Sequence, residues 1–143
     1  MTEEISADRA AALKAFLKAV PFAQFLGVEC VVRGDEMTAI LPFQDKLIGN
    51  QALPALHGGA IGALLEVTAQ SQLFLLGPTE KPAKPIDISI DYLRSGRAAD
   101  VFARATVRKL GRRVSNITAE AWQARKDAPI ATLHGHFLMP KSD

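Results

Sequence analysis

Glu66 is the residue whose type and setting point most directly to chemistry. It is the only carboxylate in the otherwise mostly apolar run ALHGGAIGALLEVTAQSQLFLLG, residues 55–77. An ionised carboxylate is costly to remove from water unless it is paired, so a purely structural role requires an arginine or a backbone partner. The functional interpretation is that partial burial raises its pKa toward neutrality, where it can take a proton from water or attack a carbonyl itself. The sequence leaves base and nucleophile open.

His57, Gly58 and Gly59 stand at the predicted start of the helix that carries Glu66. Free amide N–H groups at a helix N-terminus favour developing negative charge, and glycines let a substrate carbonyl come close. Gly58 is therefore the predicted oxyanion donor, with Gly59 beside it in contact with substrate. The alternative is that both glycines merely permit a tight turn into the helix. His57 is predicted to orient this turn through a backbone hydrogen bond rather than to act as acid or base.

The spacing of these residues predicts a shared site. Glu66 lies eight residues after Gly58, which along one helix corresponds to roughly 12 Å. Catalysis requires the amide and the carboxylate each within about 3 Å of the reacting group, so one carbonyl cannot touch both. We therefore expect Gly58 of one subunit to face Glu66 of another, as two antiparallel helices related by a two-fold axis would allow.

The elements around this helix follow from periodicity. Residues 6–19 carry apolar side chains at helical spacing behind Ser6, a predicted N-cap, and predict a short amphipathic helix on the outside of the core. Gly34-Asp35 separates two β-prone runs, 27–33 and 36–42, and predicts a hairpin. Residues 44–54 contain Gly, Asn and Pro without a clear period, which predicts an irregular loop.

The second half of the chain predicts strands. After Gly77-Pro78 and the polar stretch TEKPAKP, apolar and polar residues alternate in four runs, 85–93, 100–109, 112–124 and 129–138. A helix that is apolar on nearly every face must be buried on nearly every face, and an antiparallel sheet is the only available cover. The sheet is predicted to curl around the helix.

Length, charge and composition limit the class of protein that this chain can be. The 143 residues suit a single domain spanning 1–143. A formal charge of +2, spread along the chain, argues against nucleic acid as a partner. The N-terminus has no export signal, and the run after Gly58 holds Glu66 and two glutamines, which argues against a membrane span. Cys30 is predicted to be a small core residue in a reducing compartment, so a cytoplasmic location is expected.

Four segments together resemble a known family: LHGGAIGALLE, IDISIDYLRSGR, LGRRVSNITAEAW and ATLHGHFL. They are similar to the hotdog-fold acyl-CoA thioesterases, in particular the phenylacetate-pathway branch, over roughly residues 20–139, with 1–19 as an added helix. The most specific element is HGG with an acidic residue seven positions after the second glycine. The resemblance implies an α+β hotdog fold, in which a curved antiparallel sheet of about six strands wraps a long central helix. It also implies hydrolysis of coenzyme A thioesters by a homodimer or a dimer of dimers, with coenzyme A as part of the substrate and no further cofactor.

Three polar residues are further catalytic candidates. Members of the family carry an asparagine near Asn50, but its distance in sequence from the HGG motif is one residue longer here, and Gln51 occupies the matching position. Asn50 and Gln51 are therefore equal candidates for this role. The alternative is that both residues only form the loop. Gln70 lies one helical turn after Glu66 and is predicted either to position water or to bond within a dimer interface.

Four arginines at strand ends are candidates for the coenzyme A phosphates, because a guanidinium binds phosphate bidentately. They are Arg94, Arg97, Arg112 and Arg113. His134 and His136 share a strand face, but the sequence places no third ligand near them, so no metal site is predicted. Two other functions stay open: a non-catalytic module that binds acyl-CoA or acts as a scaffold, and a hotdog-fold hydratase or dehydratase. The spacing of Glu66 argues against the hydratase.

Overall fold

The computed structural model describes residues 2–77 and 80–141, so Pro78 and Thr79 of the predicted linker lie outside the described residues. Within these residues, three α-helices and eight strands follow one another, with a 3-10 turn at Asp45–Leu47. The elements are α1 Thr2–Ala19, α2 Pro21–Leu26, β1 Glu29–Arg33, β2 Glu36–Leu41, β3 Ile48–Asn50, β4 Ala55–Leu56, α3 Gly58–Leu76, β5 Lys84–Tyr92, β6 Val101–Lys109, β7 Val114–Trp122 and β8 Ala131–Leu138.

Six strands form one sheet in the order β1-β2-β6-β7-β8-β5, and every neighbouring pair is antiparallel. The helix α3 packs across one face of this sheet, against β2, β6, β7 and β8, and less extensively against β5. This arrangement confirms the predicted α+β hotdog architecture. The predicted hairpin is also confirmed, and Gly34 in its turn has a φ of 63° that favours glycine.

The centre of α3 is the core of the molecule. Leu64, Leu65 and Leu73 are completely buried and belong to one continuous apolar cluster. Among the described helices, α3 is the one long and apolar enough to cross a membrane, and 61% of that apolar window is buried inside the fold. An apolar helix that is mostly buried inside the fold is typical of the core of a folded domain.

One stripe of α3 is not covered. Glu66, Val67 and Gln70 are half-buried, as is Ala63, while Gly59 is exposed. These residues recur every three or four positions and so share a helix face. The helix is thus buried on nearly every face, as predicted, and is half-buried along this stripe because the sheet ends at β5.

The hairpin β1–β2 is fastened to α3 by a buried amide. Gln72 Oε1 accepts the backbone N–H of Met37 at 3.0 Å, and its Nε2 donates to the carbonyl of Asp35 at 2.7 Å. Both ends of the side chain are satisfied, which removes most of the cost of burying it. This contact fixes the hairpin against the helix on the side away from the open stripe.

Helix α1 packs on the C-terminal part of α3. Leu13 and Leu17 join the core, and the Phe16 and Phe74 rings stack with centroids 4.8 Å apart. The helix begins at Thr2, so the prediction of Ser6 as its N-cap is wrong: Ser6 lies inside the helix.

Two short elements differ from the expectation for the segments before α3. Residues 44–54 form a 3-10 turn, strand β3 and a turn rather than a wholly irregular loop, and β3 pairs with β4. Gly49 permits this, because a Cβ there would lie 2.7 Å from the Cα of His57. The unpredicted helix α2 starts at Pro21 and ends at Leu26, and Gly27, whose φ is 81°, caps its C-terminus.

Truncation of a core side chain tests this assignment of the core. Leu73→Ala should lower the free energy of unfolding by about 2–5 kcal/mol, because a cavity replaces a fully buried side chain. Leu110→Ala is the matched control, since Leu110 is 53% exposed and its loss should cost less than about 0.5 kcal/mol. Urea unfolding at one protein concentration measures both. Equal losses in the two variants would contradict the proposed core.

Candidate active site

His57 caps the N-terminus of α3. Its Nδ1 accepts the backbone N–H of Gly59 at 2.9 Å, and its extended backbone has a φ of −65° and a ψ of 131°. The first N–H groups of a helix have no partner within the helix, so this contact satisfies one of them. Because Nδ1 is the acceptor, a neutral His57 ring carries its proton on Nε2. His57 therefore bonds the backbone at the start of the helix, as the sequence predicts. A role for His57 in catalysis stays a prediction.

The open stripe of α3 forms one wall of a cleft of about 340 Å³. Small side chains on the helix leave depth on that side, and aromatic and aliphatic side chains from α2 and β5 form the opposite walls. The lining residues are Phe22, Gly59, Gly62, Ala63, Glu66, Val67, Ile90 and Tyr92. A carboxylate, two glycines and apolar walls therefore meet in one depression.

Among the described residues that line this cleft, Glu66 is the one carboxylate. It is half-buried, and among residues 2–77 and 80–141 no hydrogen bond or ion pair engages its side chain. A carboxylate in this position can accept a proton from water or approach an electrophilic carbon in the cleft. The structural alternative, in which an arginine neutralises Glu66 within the chain, has no support in this part of the fold.

Tyr92 is the site residue that sequence reasoning missed. Its hydroxyl donates to the carbonyl oxygen of Gly58 at 2.8 Å, across 34 positions of sequence. A Cβ on Gly62 would lie 3.0 Å from that hydroxyl oxygen, so the missing side chain makes room for Tyr92. The signal in the sequence is the spacing of Gly58 and Gly62, four residues apart, which leaves one helix face bare.

The other catalytic candidates lie outside the cleft lining. Asn50 is exposed at the end of β3, where its Oδ1 accepts the backbone N–H of Ala52 at 2.9 Å, and Gln51 is exposed in the following turn. Gln70 donates from Nε2 to the carbonyl of Ala83 at 2.7 Å, which ties α3 to the segment before β5. Within one chain, Gln70 lies one turn from Glu66 on the same helix face but bonds Ala83, and no contact brings Asn50 or Gln51 to Glu66 among the described residues.

The four candidate arginines are exposed and fall at two ends of the sheet. The segment of Arg94 and Arg97 follows β5 and is held near the N-terminus of α3, where the N–H of Leu56 donates to the carbonyl of Gly96 at 2.9 Å. Arg112 and Arg113 lie in the β6–β7 turn, at the sheet end where β5 begins. A single chain does not bring the two pairs together.

Cys30 and the two strand histidines lie away from the cleft. Cys30 is half-buried on β1, at the opposite edge of the sheet from β5, and packs against the core. Burial raises the pKa of its thiol, with the charge of Lys14 opposing, so the thiol is a poor nucleophile at neutral pH. His136 Nδ1 lies 2.9 Å from Asp87 Oδ1 on the outer sheet face, and no cluster of three metal-ligating residues occurs within the described chain.

The sequence matches the family described as the acyl-CoA thioesterase N-terminal domain over residues 48–138. It is 30% identical to the medium/long-chain acyl-CoA thioesterase YigI of Salmonella typhimurium, with 80% of this chain and 84% of that protein covered.

Several solved structures are similar to this chain over nearly its whole length. A protein of Chromobacterium violaceum is 31% identical, superimposes with a TM-score of 0.74 and is covered over 99% of both chains. A Bacillus halodurans protein solved with CoA is 19% identical, with a TM-score of 0.77 and coverage of 99% of this chain and 94% of that one. The latter likeness concerns the fold alone.

The cap on α3 is tested by two substitutions at one position. His57→Ala should lower the free energy of unfolding by about 1 kcal/mol, because the Gly59 N–H loses its acceptor. His57→Asn should recover most of that loss, since asparagine is a favoured N-cap. Thermal unfolding measures both, with the exposed His134→Ala as control. If His57→Asn is as unstable as His57→Ala, the imidazole stabilises this end of the helix in another way.

Proposed function

Because this chain belongs to the acyl-CoA thioesterase family, we propose that Glu66 and the Gly58 amide act together in a site shared by two copies of the chain. The chain hydrolyses thioesters of coenzyme A to a free acid and coenzyme A. Family membership thus decides against the hydratase and the purely binding module. The proposal concerns which residues do this work and on which acyl groups.

The position of Glu66 carries the proposal. It is half-buried in a cleft with apolar walls, on the same helix face as Gly59 and Gly62, and no described side chain neutralises it. A carboxylate kept unpaired in such a setting costs stability, and a role in catalysis explains why it is present.

The reaction uses two groups at the thioester carbonyl. The Gly58 N–H donates to the carbonyl oxygen and stabilises the negative charge that develops there, with the positive end of the α3 dipole behind it. Glu66 either removes a proton from the attacking water or attacks the carbonyl carbon itself, and water then releases the acid. The carbon–sulfur bond breaks in both routes, and coenzyme A leaves as its thiolate. Where Glu66 is the base, it passes the proton taken from water to this sulfur; where Glu66 is the nucleophile, the water that hydrolyses the acyl–enzyme anhydride supplies the proton.

A second copy of the chain fits the open edge of the sheet. β5 is a nine-residue edge strand, and its Ile86 and Tyr92 are 54% and 53% exposed. An edge strand of this length with apolar side chains normally pairs with another strand. Antiparallel pairing of two β5 strands about a two-fold axis would set the two α3 helices antiparallel, and would bring Glu66 toward the partner's α3 N-terminus. A dimer, or a dimer of such dimers, is therefore the proposed unit.

The same pairing supports a site for the coenzyme A phosphates. In an antiparallel dimer, the end of one β5 strand lies beside the start of the other. The exposed Arg94 and Arg97 of one copy would then share a sheet end with Arg112 and Arg113 of the other. Several guanidinium groups at one edge suit the phosphates of the nucleotide.

A medium or long aliphatic chain is the proposed acyl group. The walls contributed by Phe22, Val67 and Ile90 are apolar, and the glycines 59 and 62 leave depth on the helix side. The similarity to YigI, named as a medium/long-chain enzyme, points the same way. Membership of the phenylacetate-pathway branch is the alternative proposal. A cytoplasmic location is proposed from the single cysteine, which forms no internal disulfide.

A panel of substrates tests the acyl proposal. Each added methylene that enters the apolar cleft contributes up to about 0.8 kcal/mol, which is roughly a fourfold gain in kcat/KM. Thiol release from acetyl-, butyryl-, hexanoyl-, octanoyl-, decanoyl- and phenylacetyl-CoA should therefore rise with chain length before it levels off. Highest activity on phenylacetyl-CoA would instead favour the phenylacetate branch.

Two substitutions test the assigned roles. Glu66→Gln should lower kcat by at least about 100-fold while the oligomer stays the same size in gel filtration. Gly58→Pro removes the N–H and should also cost about 100-fold, yet proline suits the first helical position and the extended backbone of His57. Gly58→Ala controls for the added Cβ, which would lie 3.3 Å from the Tyr92 ring. Full activity in Glu66→Gln would remove this mechanism.

Mixing the two inactive variants tests the shared site. After joint refolding, about half of the dimers are hybrids, and each hybrid has one site with both groups intact. Activity should return to about a quarter of the wild-type value. If Gly58 and Glu66 of the same chain formed the site, every hybrid would lack one group in each site and no activity would return.

A further inference from the structure

Tyr92, the chain's single tyrosine, lies across the first turns of α3. It ends β5, and its hydroxyl donates to the Gly58 carbonyl at 2.8 Å. Its ring fits there because two helix positions lack side chains: a Cβ on Gly58 would be 3.3 Å from the ring, and one on Gly62 would be 3.0 Å from the hydroxyl oxygen. The contact is therefore built by two glycines and one tyrosine from distant parts of the chain.

The peptide unit between Gly58 and Gly59 is held at both of its polar ends. Its carbonyl oxygen accepts from Tyr92, and its N–H donates to Nδ1 of His57 at 2.9 Å. A peptide unit is planar, so two such bonds fix its orientation. The backbone on the other side is also held, since the N–H of His57 donates to the carbonyl of Leu47 at 2.8 Å. The His57 carbonyl, which shares a peptide unit with the Gly58 N–H, accepts from the N–H of Ala60 at 3.0 Å. The first turn of α3 and Tyr92 thus hold this end of the helix together.

Gly58 needs this support because glycine has the most backbone freedom of any residue. Its N–H is among the first four of the helix, which have no partner inside the helix, and it sits between the two fixed peptide units. Loss of one anchor would let the first turn adopt other φ and ψ values at Gly58. The N–H would then spend less time in the direction that meets a substrate carbonyl.

We propose that Tyr92 is a positioning residue for hydrolysis: its hydroxyl holds the Gly58–Gly59 peptide so that the Gly58 N–H points at the thioester carbonyl. This inference rests on the proposed function, in which Gly58 is the oxyanion donor. Tyr92 acts through Gly58 and takes no proton or electron pair in the reaction. Its hydrogen bond to the Gly58 carbonyl puts the anchor on the peptide unit next to the proposed donor.

Tyr92→Phe tests the proposal because it keeps the ring and removes only the hydroxyl. The kcat for octanoyl-CoA should fall roughly 3- to 10-fold, the range that corresponds to one hydrogen bond, while KM stays within about twofold. Ser89→Ala is the matched control, since it removes a hydroxyl from an exposed position of the same strand, on the opposite face. Its kcat and KM should equal those of the wild type.

A double-mutant cycle separates positioning from general stability. His57 and Tyr92 hold the same peptide unit, so Tyr92→Phe should cost less kcat in the His57→Ala background than in the wild type. Additive losses, or an equal rise in KM for Tyr92→Phe and Ser89→Ala, would overturn the inference. An unchanged kcat in Tyr92→Phe while Glu66→Gln is inactive would overturn it and leave the proposed function standing. A fully active Glu66→Gln would count against the proposed function instead.

Discussion

The sheet that covers α3 ends at the edge strand β5, and the rest of the structure depends on this constraint. α3 is apolar enough to be enclosed, but the sheet that wraps it stops at β5, so one stripe of the helix stays uncovered. Glu66 lies on that stripe. A carboxylate on any other face of α3 would be buried among aliphatic side chains at a prohibitive cost. The end of the sheet therefore decides both where a charged group can sit on the helix and where a second chain can approach.

The absence of side chains serves two purposes at the start of α3. Gly58 and Gly62 leave a bare helix surface onto which the Tyr92 ring packs. The same bareness lets a substrate carbonyl approach backbone amides that a larger side chain would shield. Conformational freedom is the drawback of glycine, and the hydrogen bonds from Tyr92 and to His57 restrict it. Tyr92 and His57 thus offset the backbone freedom of the glycines at the start of α3.

The sequence predicts the elements whose pattern is long enough to repeat. α3 is visible as a long apolar run, and the strands β5 to β8, each of eight or nine residues, are visible from their alternation without any structure. α2, with six residues, and β3, with three, are too short to show a period and depend on tertiary contacts. In the site, Glu66 is predictable because its chemistry conflicts with its surroundings. Tyr92 is not, because its role depends on a contact that only the folded chain creates.

The polar side chains of α3 together explain why Glu66 is better understood as functional than as structural. Gln72 bonds two backbone groups of the hairpin, Gln70 bonds Ala83, and Thr68 bonds the carbonyl of Leu64. Ser71 is buried without a partner among the described residues, but an uncharged hydroxyl costs far less to bury than a carboxylate. Glu66 alone combines a charge, partial burial and no described partner. The amide and threonine side chains of α3 that serve structure are thus hydrogen-bonded within the described chain, whereas the charged side chain of Glu66 is not.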